Sequence, residues 1–179
     1  MDIVLTPVTA ASLDAELSAD LGRLSLCLGA EVSEWPPLDG EWDLAAMQYV
    51  RSLIDGPNLD LRFVPCYVVA EGVLVANAGF FGPPDRAMEV EIGYSVCRGN
   101  RRRGVATAVV GELCRRAWAL GCTSVRARVR PDNVGSISAL RNNGFVEGSS
   151  APDDEFVVLT LAADGQSRGI SGGETPCGR

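Results

Sequence analysis

Apolar positions along the chain follow two rhythms that trade places. "DIVLTPV" at the N-terminus has the β-branched content of a short strand. From "ASLDAEL" onward, leucines at 13, 17, 21 and 24 recur at helical spacing and predict one amphipathic helix. "EVSEWPPLDG" interrupts it, because Pro36 and Pro37 forbid a continuing helix. "EWDLAAMQYVRSLI" then reads as a second helix, ended at "DGPN". "RFVPCYVVA" and "VLVANAGFF", separated by "EG", predict a β-hairpin. "AMEVEIGYSVC" is a further strand, with Glu89, Glu91 and Gly93 on one face.

Past Gly104 the helical rhythm returns: Val105, Val109, Val110, Leu113, Ala117 and Leu120 form one stripe, stopped by Gly121. "SVRARVR" alternates Arg126, Arg128 and Arg130 against Val125, Ala127 and Val129, as a strand does. "PDNVGSISALRNNGF" gives an Asn-led helix ended by Gly144, and "EFVVLTLA" a last strand. From Ala162 the chain is small, polar and glycine-rich. The sum is an α+β fold: a mixed, mostly antiparallel sheet flanked by helices. One domain is expected over residues 1–161, with a flexible tail at 162–179.

Composition narrows the chemistry. The chain of 179 residues has 46% hydrophobic and 22% charged residues, ordinary for a globular protein. There is no histidine, and all 16 basic residues are arginine. That excludes Ser-His-Asp and Cys-His catalysis, lysine Schiff bases and any zinc site needing imidazole. A proton acceptor here is a carboxylate, a deprotonated Cys or Tyr, the N-terminal amine or water. Cysteines at 27, 66, 97, 114, 122 and 177 form no CxxC pair and no metal-like spacing. No apolar run approaches the roughly 18 residues of a membrane span, and "MDIVLTPV" lacks a signal peptide's positive start. A reduced, cytoplasmic protein without metal or membrane partner is expected. The net charge of −7 argues against general nucleic-acid binding.

Against that acidity, "RGNRRRGVAT" sets Arg98, Arg101, Arg102 and Arg103 just before a helix. A helix that starts after a glycine turn offers unpaired N–H groups and the positive end of its dipole, which suits a phosphate. "GNRRRG" matches only half of a nucleotide P-loop, since Val105 and Ala106 stand where Lys and Ser or Thr are required. The same turn also reads as an arginine-rich helix cap with nothing bound.

With its neighbours, the stretch resembles the acetyl-CoA site of the GNAT superfamily of N-acetyltransferases. That family's phosphate pattern (Gln or Arg, two residues, Gly, one residue, Gly or Ala) matches Arg101, Gly104 and Ala106. The preceding "VEIGYSV" and the later "NVGSISALRNNGF", with Asn133, Ser136, Gly144 and Phe145, resemble the branch related to ribosomal-protein N-terminal alanine acetyltransferases. The resemblance implies an acyl-CoA cleft where two parallel strands, "VEIGYSVC" and "VRARVR", splay apart. Backbone groups of Val96 and Cys97 would meet the pantetheine arm. Arg98, Arg101, Arg102, Arg103, Gly104, Val105, Ala106 and Thr107 would hold the pyrophosphate, and Asn133 and Ser136 would flank the arm.

The implied reaction is direct transfer from the acetyl-CoA thioester to a primary amine in a ternary complex. Glu91 is then the first choice of base and Glu89 the second. The family's tyrosine four residues before Gly-Phe is Leu140 here, so Ser136 is the candidate donor to the thiolate. Trp35, Glu89 and Glu91 would face the acceptor, a small-molecule amine or a protein N-terminus, with Trp42 as a second wall. Tyr94 reads as core, and Cys97 lacks a histidine to activate it. The chain would act as a monomer or homodimer. Two other readings stay open: a non-catalytic acyl-CoA sensor on the same fold, and a nucleic-acid binder using the arginine strand.

Overall fold

A computed structural model describes residues 1–36, 44–57, 60–148 and 155–163. Strand β1 (Ile3–Pro7) leads into helices α1 (Ala10–Leu17), α2 (Leu21–Leu28) and α3 (Leu44–Ile54). Strands β2 (Cys66–Ala70), β3 (Val73–Phe80) and β4 (Glu89–Val96) follow, then α4 (Val105–Ala119), β5 (Ser124–Val129), α5 (Val134–Asn142), β6 (Val146–Glu147) and β7 (Val157–Ala162). The expected tail lies outside the described residues from 164 onward.

Two local features depart from the sequence pattern. The leucine rhythm from 13 to 24 spans two helices rather than one, because Ala19 turns the chain at φ 55° and Asp20 starts a new helix. The Asp20 carboxylate accepts the Arg23 N–H at 2.9 Å, a side-chain cap that outweighs continued periodicity. The two-residue strand β6, both residues exposed, has no hydrophobic signature to announce it. The hairpin is as expected, with Glu71 and Gly72 at φ 51° and 78°, the two positive values a type I′ turn requires.

The seven strands form one sheet in the order β1-β2-β3-β4-β5-β7-β6. Every pairing is antiparallel except β4 with β5. Apolar side chains collect on both faces. On one, Val90, Ile92, Val125 and Ala127 pack against Val109, Leu113 and Leu140 of α4 and α5. On the other, Tyr67 and Leu74 pack with Leu13, Leu24 and Val50 of α1, α2 and α3. No helix among the described residues is long and apolar enough to cross a membrane.

The second core encloses a carboxylate. Glu16, 7% exposed, accepts the Trp35 indole N–H at 2.5 Å and the Tyr67 hydroxyl at 2.7 Å. Burial and the adjacent Glu16 charge push the Tyr67 phenol up from its ordinary value, so it stays a donor. Trp35 packs edge-on to Tyr67 with ring centroids 5.6 Å apart. Tyr67→Phe and Trp35→Phe each remove one donor from a buried anion and are expected to cost about 1–3 kcal/mol in urea unfolding. A loss below about 0.5 kcal/mol for both would deny the node its structural role.

The described cysteines 27, 66, 97, 114 and 122 are all free. Burial, reinforced by Glu34, pushes the Cys97 thiol up to about 12, and burial alone pushes Cys114 to about 11. Raised values keep the unreactive thiol form at pH 8. Iodoacetamide at that pH, followed by peptide mass mapping, is expected to label exposed Cys27 and spare Cys97 and Cys114. Equal labelling of Cys97 and Cys27 would contradict that burial.

Candidate functional site

Strands β4 and β5 pair at only three positions, Glu89↔Ser124, Val90↔Val125 and Glu91↔Arg126. Beyond them β4 runs on to Val96 against β3, and β5 to Val129 against β7, so a wedge opens between them. The β3–β4 ladder determines what faces that wedge. Glu91 accepts the Phe81 N–H, and the Cys97 N–H donates to Val75, each at 2.9 Å. Antiparallel amides alternate in direction, so residues 91, 93, 95 and 97 bond β3 while Tyr94 and Val96 turn their amides toward the wedge. The structure thus separates Val96 from Cys97. Cys97 is fully buried, its N–H is committed to Val75, and its Sγ lies 3.0 Å from the Glu34 carbonyl oxygen.

At the open end of the wedge a 3-10 turn (Arg98–Asn100) leads to Gly104, which caps α4 at φ 82°. No side chain caps this helix, and its first internal bond runs from Ala108 to Gly104. The N–H groups of Val105, Ala106 and Thr107 are therefore left unpaired by the helix. A Cβ built at Gly104 meets nothing within 4 Å, so the approach to these groups is open. The arginines divide. The Arg101 Nε donates to the Val96 carbonyl at 3.1 Å, tying the turn to the strand. Arg98, Arg102 and Arg103 are exposed around the turn.

Helix α5 forms the opposite wall. The Asn133 side chain caps it by accepting the Ser136 N–H at 3.1 Å. The Ser136 carbonyl accepts the Tyr94 hydroxyl at 3.3 Å, so a β4 phenol spans to the helix beside Leu140, one turn further on. Burial pushes the Tyr94 phenol up from its ordinary value. Its contact with α5 follows from topology and has no local sequence signal. The Ser136 side chain also bonds that phenol.

Glu91 sits at the last paired position. Its Oε2 accepts the Arg126 Nε–H at 3.0 Å and its Oε1 the Arg128 Nε–H at 2.9 Å, with its side chain only 10% exposed. Glu89 accepts the Ser124 hydroxyl at 3.1 Å and lies 3.4 Å from Arg126. The arginine strand is thus turned onto the protein's own acids, and Arg130 pairs with Glu155 at 3.1 Å. Among the described residues no acid or cysteine cluster could hold a metal ion.

On the α3 face a cavity of about 320 Å³ opens over the same part of β4. Val50 and Leu53 of α3, with Phe63 and Phe81, wall it, and Asn77, Gly93 and Ser95 lie on its sheet side. Gly93 is needed there: a Cβ would stand 2.6 Å from the Phe81 ring. Trp35 does not line the cavity, because its ring is engaged with Glu16 and Tyr67. Trp42 lies outside the described residues.

Comparison with known proteins agrees with this geometry. Residues 4–146 match the model of the acetyltransferase (GNAT) domain. The chain is 30% identical over 140 residues to the uncharacterized N-acetyltransferase YjdG of Bacillus subtilis, covering 74% of this chain and 80% of that one. Mycobacterium smegmatis RimJ, solved in complex with CoA-disulfide, superposes with a TM-score of 0.58 at 18% identity over 91% of this chain and 88% of its own. The ribosomal-protein-S18-alanine N-acetyltransferase of Escherichia coli gives 0.58 at 14% identity over 90% and 94%. With a wedge between parallel strands, an uncapped helix beyond it and a family model spanning most of its length, the chain belongs to the GNAT acetyltransferase family.

Proposed function

We propose that the protein transfers an acetyl group from acetyl-CoA to a primary amine by direct attack in a ternary complex. The observation that carries this is the wedge that opens after Glu91↔Arg126, with the unpaired N-terminus of α4 at its mouth. The open approach at Gly104 and the outward amides of α4 fit a pyrophosphate, with Arg98, Arg102 and Arg103 supplying charge. That RimJ was solved with CoA-disulfide supports the same assignment. When bound, acetyl-CoA supplies an activated thioester. The Val96 N–H, turned toward the wedge, would serve as its oxyanion donor, whereas the resemblance sets Val96 and Cys97 together against the pantetheine arm. Asn133 shapes the far wall through its cap on α5.

Acceptor amines enter the α3-side cavity, whose sheet side includes the β4 segment that borders the wedge. Glu91 takes the amine proton through a bridging water, since it is not among the described residues that line the cavity and each of its oxygens, though accepting a guanidinium N–H, keeps a lone pair. Glu89, bonded to Ser124 and Arg126, holds that cluster in place. The Ser136 hydroxyl, on the α5 wall beside the Tyr94 phenol, donates to the leaving thiolate. The free cysteines support a reducing, cytoplasmic setting.

Calorimetric titration with acetyl-CoA is expected to show binding to the wild type that Gly104→Glu abolishes, because a carboxylate would enter the cradle. Equal binding by both proteins would remove the turn from the site. Glu91→Gln is expected to lower kcat/KM by roughly 10²-fold or more while acetyl-CoA binding is kept. Acetyl-CoA binding by the wild type without transfer to any primary amine would instead support an acyl-CoA sensor.

A further inference from the structure

A short connection joins the two ends of the wedge. Val96, whose amide turns into the wedge, is linked to Gly104, which opens α4, by Cys97, the 3-10 turn Arg98–Asn100 and then Arg101, Arg102 and Arg103. How firmly this connection is held decides the spacing between a thioester end and a phosphate end. From within, the Arg101 Nε ties it to the Val96 carbonyl. The turn closes on itself through the Asn100 N–H, which donates to the Cys97 carbonyl at 2.9 Å, and the Arg101 N–H, which donates to that of Arg98 at 3.3 Å. Neither bond uses the Gly99 N–H.

That N–H donates instead to Glu34 Oε2 at 2.8 Å, across 65 residues of sequence. Beside it the Cys97 thiol donates to the Glu34 carbonyl at 3.0 Å. One residue thus holds the turn through backbone and side chain together. Glu34 is fixed in its own right. Three residues earlier, Glu31 donates its N–H to the Gly72 carbonyl at 2.7 Å and accepts the Leu74 N–H at 2.8 Å. On the other side, the Trp35 indole is bonded to buried Glu16. The fit is close: a Cβ built at Gly99 would stand 2.8 Å from Glu34 Oε2.

A carboxylate near a phosphate cradle opposes an anion by its charge. Solvent screening and the exposed Arg98, Arg102 and Arg103 weaken that repulsion. A bond that orders the turn beforehand, by contrast, removes part of the ordering cost of binding. The bond therefore outweighs the charge.

We infer that Glu34 is a positioning residue for the cosubstrate, fixing the turn that sets Val96 against the first amides of α4. The inference rests on the transferase reading and deepens it.

The test titrates the full chain with acetyl-CoA in a calorimeter. Glu34→Ala is expected to weaken binding at least about 5-fold, the size of effect one such hydrogen bond carries. Glu34→Gln keeps an acceptor for the Gly99 N–H and drops the charge, so it is expected to bind as tightly as wild type or tighter. Alanine binding as tightly as wild type, or glutamine as weakly as alanine, would overturn the inference.

Gly99→Ala reaches the same contact from the other side. Its methyl crowds Oε2 and meets no other group within 4 Å among the described residues. It is expected to weaken acetyl-CoA binding in the wild type and to cost nothing further beside Glu34→Ala. Equal costs in the two backgrounds would overturn the link. Wild type that binds no acetyl-CoA sinks the transferase reading instead. Amide exchange at Gly99 in the free protein then still decides the clamp: faster exchange in Glu34→Ala than in wild type is expected, and equal rates would overturn it.

Discussion

Where β4 and β5 stop pairing determines everything else on this molecule. Parallel strands are held by evenly spaced hydrogen bonds, and nothing in β-geometry ends such a ladder after three residues. Here the end is marked by charge. Glu91 is the last paired residue of β4, opposite Arg126, and it also reaches Arg128, two residues beyond the pairing. The carboxylate therefore clips β5 at the point of divergence. Past it, the Tyr94 phenol crosses to α5 rather than to β5, and each strand is claimed by a different antiparallel neighbour. The wedge is a consequence of competing partners, with an ion cluster at its apex.

That division also allots the two faces of the sheet. On the α4 and α5 side the helices pack closely on the sheet, and at Gly104 uncapped amides meet exposed arginines. On the α3 side the sheet carries a cavity with one unsatisfied carboxamide. Between them lies a single layer of β4 backbone. In the proposed reaction an acyl group in the wedge and an amine in the cavity would approach through that layer, each from its own side. The acidic character of the chain is expressed mostly elsewhere: Asp14 and Asp55 pair with Arg51, and Glu112 with Arg115 and Arg116.

The sequence makes legible whatever depends on local rules. The hairpin at Glu71 and Gly72, the Asn133 cap and the Gly104 turn all follow from residue types at fixed offsets. The break at Ala19 was hidden because the leucine spacing continues across it, while the decisive contact is one Asp20 cap. Cys97 and Trp35 illustrate a deeper limit. Whether a β4 amide faces the wedge depends on its parity against β3, and whether an indole faces a pocket depends on Glu16, 19 residues away. Asn77 reads as an ordinary polar position of an alternating strand. Only the packing of α3 over it shows that its side chain is buried and unmatched.

The central claim, that the β4 amides beyond Glu91 are open to the cosubstrate, is tested most directly by residue-resolved amide hydrogen exchange. Along β4 the account predicts alternation without ligand: Gly93, Ser95 and Cys97 protected by their β3 bonds, Tyr94 and Val96 exchanging faster. Adding acetyl-CoA should slow Val96 and the first amides of α4 together. Uniform protection along β4 without ligand, or slowing at α4 with Val96 unchanged, would contradict it.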